Sequence, residues 1–157
     1  MPAPGFSVRN LLLGFIAGAI AVAVFHQTVV YTLVAVGMLP ATSIPWNMKA
    51  YGPFGVPTIV NSMFWGGLWG ALFGVIWDKL PGGAMWLRGL IYGLIIVVVS
   101  NWTLLPLIRA HVFGVTNAAQ IALFSGGDPK RMLINILIQS GFGVGLALIF
   151  NLIAKAR

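Results

Sequence analysis

The chain has 157 residues, 59% of them hydrophobic and only 7% charged, with a mean hydropathy of +0.98. Soluble domains average about 45–50% apolar and about 25% charged residues, and a fold this small cannot hide such an apolar excess from water. A soluble globular protein and a disordered chain are both excluded, which leaves lipid as the solvent.

Nine Lys and Arg residues stand against only Asp78 and Asp128, giving a net charge of +7. They occur singly or in pairs at the ends of apolar runs, where anionic headgroups are the nearer partner, so no nucleic acid is expected. The chain has no cysteine, which removes disulfides, thiolate nucleophiles and Cys-ligated metals.

No charge occurs between Arg9 and Lys49. A membrane-crossing helix needs about 20 residues, so a first span is predicted over 11–36, tilted or bent to fit. Arg9, the apolar run and Ala21-Val22-Ala23 imitate a cleavable signal peptide, but the run continues well past that site and reads as a retained helix. Loop 40–56, with Pro40, Pro45, Pro53, Trp46 and Tyr51, is expected to lie ordered at the interface. A second span follows over 57–77, with Pro57 suited to its first turn. Asp78-Lys79-Leu80-Pro81-Gly82-Gly83 then stops the helix and turns the chain.

The third span is predicted over 87–108, with Pro106 in its last turn. In loop 109–131, Asn117-Ala118-Ala119-Gln120 resembles a capping box, with Gln120 reaching back to the Asn117 amide, and predicts a short interfacial helix. The fourth span, 129–154, begins at a cap from Asp128 with Pro129 at the first helical position. The fold class is therefore an all-α membrane protein, one four-span domain over 1–157, with both termini on one side. Arg9, Lys79, Arg88, Lys155 and Arg157 on that side outnumber Lys49, Arg109, Lys130 and Arg131 by one, which points the termini to the cytoplasm.

Glycines cluster by depth in the half nearer the termini. Gly14 and Gly18 open the first span, Gly66, Gly70 and Gly74 run at four-residue spacing through the second, and Gly89 and Gly93 open the third. Small residues four apart let helix backbones approach closely, so these positions are read as helix-packing faces.

Polar residues gather in the opposite half. His26, Gln27, Thr28, Tyr31 and Thr32 lie late in the first span, Asn61 and Ser62 early in the second. Ser100 and Asn101 fall late in the third, Asn135 and Gln139 early in the fourth. At 100° per residue, Thr28 and Thr32 continue the Gly14–Gly18 face and should point into the bundle. Bonding across helices explains such groups, and so does a small polar pocket at that depth. The ligand or proton candidates are His26, Gln27, Tyr31, Asn61, Ser62, Ser100, Asn101, Asn135 and Gln139.

His26 is the one ionisable group near neutrality well inside a span, so a structural hydrogen bond and a proton-linked or ligand-contacting role both remain open. His111 lies beyond the third span on the same side, which admits a bis-histidine haem in principle. No metal-ligand spacing occurs and no cofactor is named by the sequence. The two carboxylates fall at opposite membrane faces, and no HExxH, GxSxG or P-loop pattern is present, so catalysis is not expected. Trp77 and Trp86 flank the inner hairpin and Trp46 and Trp102 the outer interface, as belt residues do. Trp65 and Trp69 fall mid-span, on a face for lipid, another helix or a partner subunit.

Gly14-Phe15-Ile16-Ala17-Gly18, followed by His26 in the same span, resembles the start of the YagU-type small bacterial inner-membrane proteins. The stretch 80–93, through Pro81, Trp86, Gly89 and Gly93, is similar to their hairpin and following helix, although His26 stands where that family tends to carry lysine. The resemblance implies an inner-membrane address and four spans, and carries over no catalytic residue. The resulting expectation is a non-enzymatic structural or accessory subunit, in contact with the lipid bilayer and with other membrane subunits or a second copy. A small transporter or channel component using the polar half near His26 is the alternative, and a lipid, quinone or haem binder a third.

Overall fold

The computed structural model describes residues 7–52 and 54–155; Pro53 and Arg157, both used in the sequence reading, lie outside them. Four helices are long and apolar enough to cross a membrane: Val8–Ala35, Thr58–Ile76, Met85–His111 and Pro129–Lys155. The protein is an all-α, four-helix membrane protein; its short sheet pairs Ala50–Tyr51 with Val56–Pro57 in the loop before the second span.

Local chemistry sets the helix ends. The first span starts at Val8 because the Ser7 hydroxyl accepts from the Asn10 N–H at 3.3 Å, earlier than hydropathy alone suggested. Pro57 is the residue before the second helix rather than part of its first turn. The Thr58 and Ile59 N–H groups donate to the Lys49 and Asn47 carbonyls, each at 2.9 Å, so the preceding loop caps this span. The Asp128 carboxylate accepts from the Lys130 and Arg131 amides at 2.9 and 3.2 Å, the cap expected for the fourth span.

Arg9 donates to the Ala154 carbonyl at 3.1 Å, joining the first turn of the first span to the last turn of the fourth. Both described ends of the chain therefore lie on one side of the bundle.

Two glycine seams hold the helices in pairs. Along the first and second spans, a Cβ on Gly14 would strike the Gly70 carbonyl, one on Gly18 the Gly66 carbonyl, and one on Gly74 the Asn10 carbonyl. Along the third and fourth, Gly89 lies against Gly143, and Gly93 against the Gln139 carbonyl. Backbone meets backbone at these points, the geometry that allows association where lipid gives no hydrophobic drive. The first and fourth spans then join the two pairs, with Gly145 receiving the Phe25 ring and Gly141 the Val29 side chain.

An aromatic cluster fills the centre. Phe73 packs on Tyr92 (5.2 Å between ring centroids) and edge-on to Phe150 (5.7 Å), and the Tyr92 hydroxyl donates to the Trp69 carbonyl at 2.6 Å.

Two stretches widen from α- to π-helical turns, Val22–His26 in the first span and Val97–Leu104 in the third. A π-turn admits one additional residue. The inward face that begins at Gly14, Gly18 and Ala21 therefore continues through Val29 and buried Leu33. Thr28 and Thr32, expected to face inward, are exposed, and their hydroxyls bond their own helix at the Val24 and Thr28 carbonyls. The widened stretch in the third span ends just before Pro106, whose ring cannot sit over a regular i−4 carbonyl, and the helix runs on to His111.

Candidate polar site between the third and fourth spans

The nine polar candidates do not converge on one point. In the first span, the buried Gln27 side chain bridges its neighbours: its amide nitrogen lies 3.4 Å from His26 Nδ1, and its oxygen accepts from the Trp46 N–H at 3.1 Å. The Trp46 indole donates to the Ala23 carbonyl, in the widened turn, at 2.7 Å. These contacts clamp loop 40–56 onto the helix. Tyr31 is exposed and lies against the Trp46 ring, 6.3 Å between centroids. Ser62 turns its hydroxyl back to the Thr58 carbonyl at 3.0 Å, while Asn61 and Ser100 are half-buried. His111 is exposed at the end of the third span, and the described residues hold no group of three or more His, Cys, Asp or Glu that could bind a metal.

Asn101, Asn135 and Gln139 belong to a second cluster. Asn101, Leu105 and Arg109 succeed one another at four-residue spacing on the third span, as Arg131, Asn135 and Gln139 do on the fourth. The helices run antiparallel, so the ladders meet in opposite order. Gln139 donates to the Asn101 carboxamide oxygen at 3.1 Å. At the other end of the ladders, Arg109 and Arg131 line a common cavity of about 290 Å³.

The segment 118–127 covers this cavity. The Asn117 side chain accepts from the Ala119 N–H at 3.0 Å and starts the expected short helix, which ends after one turn at Ile121. Phe124, Ser125 and Gly126 then adopt left-handed backbone (φ 48°, 56° and 67°), which costs energy for the first two. Their surroundings offset that cost. Phe124 packs on Trp102 at 5.7 Å, and buried Ser125 accepts from the Asn135 amide at 3.1 Å. Arg109 donates to the Gln120 carbonyl at 3.5 Å, and Arg131 to that of Ala119.

The two arginines escaped the sequence reading because they look like ordinary loop-flanking charges. Their signal was the helical spacing of Arg131 from Asn135 and Gln139, and of Arg109 from Asn101. Ser125 had no such signal, since a left-handed turn leaves no period in the sequence.

No protein-family model, curated protein or solved structure matches this chain.

Proposed function

We propose that this protein is a non-enzymatic structural or accessory subunit of a membrane complex, set in the bacterial inner membrane with its termini in the cytoplasm. The resemblance of 14–18 and 80–93 to YagU-type proteins supports the address, and the Lys79 and Arg88 flanks of the short hairpin support the orientation.

The observation that carries the subunit reading is the outer face of the second span. Val60, Phe64, Leu68 and Leu72 form one ridge at four-residue spacing, and Trp65 stands beside it, 56% exposed. Trp65 is seven residues into the helix, roughly 10 Å below its start. Aliphatic side chains suit lipid at that depth, whereas an indole N–H there meets no water and no headgroup. Among the described residues it has no hydrogen-bond partner. A protein surface supplying an acceptor completes this face in a way that acyl chains do not.

A photo-crosslinking residue at Trp65, compared with one at Leu94 on the outer face of the third span, tests the reading. One discrete protein adduct is expected from position 65 in native membranes. Lipid adducts alone at both positions, with a monomer in native mass spectrometry, would overturn it. Solute flux through liposomes holding the purified chain would favour the transporter alternative.

A further inference from the structure

The Arg109–Arg131 cavity has the composition of an anion site, and we propose that it binds, at the level of the lipid headgroups, a phosphate group whose charge no headgroup cation balances: that of an anionic lipid or free phosphate, not of zwitterionic phosphatidylcholine. Arg109 and Arg131 line it, together with Asn101, Asn135, Gln120 and Ser125, and no acidic residue does. The nearest acidic residue in sequence, Asp128, caps the fourth helix through the Lys130 and Arg131 amides.

Each guanidinium has one hydrogen bond to a backbone carbonyl of the covering segment. Arginine carries five N–H donors in a planar fork, so several remain for a ligand. Two like charges around one space repel each other unless an anion lies between them, and paired forks match the oxygens of a phosphate.

Position supports the same chemistry. The cavity lies where the third span ends and the fourth begins, the depth at which lipid phosphates sit. Leu39, Leu105 and Ile134 give it an apolar wall. Arginine forks beside an apolar wall suit a headgroup phosphate and the start of its acyl chains together. A volume of about 290 Å³ is at the small end of ligand sites, enough for a headgroup or a free phosphate and little more.

The test uses the full chain in nanodiscs of phosphatidylcholine, alone or mixed with phosphatidylglycerol, and in detergent with inorganic phosphate. Native mass spectrometry and thermal stability are read for the wild type, Arg109→Gln with Arg131→Gln, and Lys49→Gln. Retention of phosphatidylglycerol over phosphatidylcholine is expected in the wild type and in Lys49→Gln, falling roughly thirty-fold in the double variant, about fivefold for each arginine. Stabilisation by inorganic phosphate with no lipid preference, again lost in the double variant, assigns the same site to free phosphate. A wild type indifferent to both probes overturns the proposal, as does a preference that survives in the double variant. Should the double variant fail to fold, photoactivatable phosphatidylglycerol on the wild type decides: adducts on the cavity-lining residues support the site, and adducts only elsewhere overturn it.

Discussion

Gly14 and Gly70 exclude each other's side chains: a Cβ on either would strike the carbonyl oxygen of the other. The obstacle on both sides is main chain, which cannot rotate away as a side chain can. Gly70→Ala should therefore destabilise the protein by at least about 1–3 kcal/mol, the usual cost of overpacking, and Gly70→Leu should abolish folding. Gly83→Leu is the fitting control, because a Cβ there meets nothing within 4 Å. Gly82, its neighbour in the hairpin, is unsuitable, since its φ of 121° strains any substitution. Thermal unfolding in mild detergent reads all three; equal stability of the Gly70 and Gly83 variants would sink the seam argument.

Gln27 joins His26 to the loop, so the two residues should answer differently to substitution. Gln27→Leu leaves the Trp46 N–H without its acceptor, at a cost of about 1–3 kcal/mol. It should also open loop 40–56 to protease. His26→Gln keeps a hydrogen-bonding group and should retain most of the stability, while His26→Leu loses it. A loop equally protected in Gln27→Leu and wild type would show that the clamp is not held by this residue. A well-folded His26→Gln that loses bound ligand or flux would return His26 to the functional role that its depth allows.

Tyr92→Phe removes one hydroxyl and nothing else. Its bond to the Trp69 carbonyl crosses between the third and second spans, where an interhelical bond contributes about 0.6 kcal/mol on average. A small loss of thermal stability is expected. Tyr92→Ala, which empties the contact with Phe73, should cost about 3–5 kcal/mol. Indistinguishable losses from the two variants would contradict the aromatic core described above.

Arg88 donates to the Gly82 carbonyl at 2.8 Å and lies 5.4 Å from the Trp77 ring centroid, so it closes the short hairpin on itself. Reporters fused at Gly82 and after Arg157 should both read cytoplasmic. A periplasmic signal at both would invert the orientation, and opposite signals would contradict a membrane crossing by both the third and the fourth helix.

Much of this architecture was legible because lipid imposes it. A charge-free run past 20 residues, a proline at the start of the fourth helix and glycines four apart each have one economical reading in a bilayer, and the four spans followed, although not which glycine faces meet. The inward placement of Thr28 and Thr32 failed for a reason the sequence hides. Residues 22–26 look like any apolar helix, and a widened turn there moves everything beyond it by one position. The polar candidates fall into separate groups, one on Gln27 and Trp46 and one between the third and fourth spans, instead of one pocket. Depth follows from position along a span, whereas the pairing of Gln139 with Asn101 depends on which helices are neighbours.

Each glycine seam closes between helices that are consecutive in the chain, first with second and third with fourth. The protein is thus two helical hairpins, each zipped along its own length, and the link between them, 77–84, is the shortest of the three connections. The first hairpin can seal as soon as its second helix enters the bilayer, before the second has been synthesised. What remains for the late stage is docking of side chains into place: Phe25 against Gly145, Phe73 against Tyr92 and Phe150. Backbone continuity through the hairpin contributes little to that step, so two halves made as separate chains and divided within 79–83 have the surfaces to find each other and restore the whole.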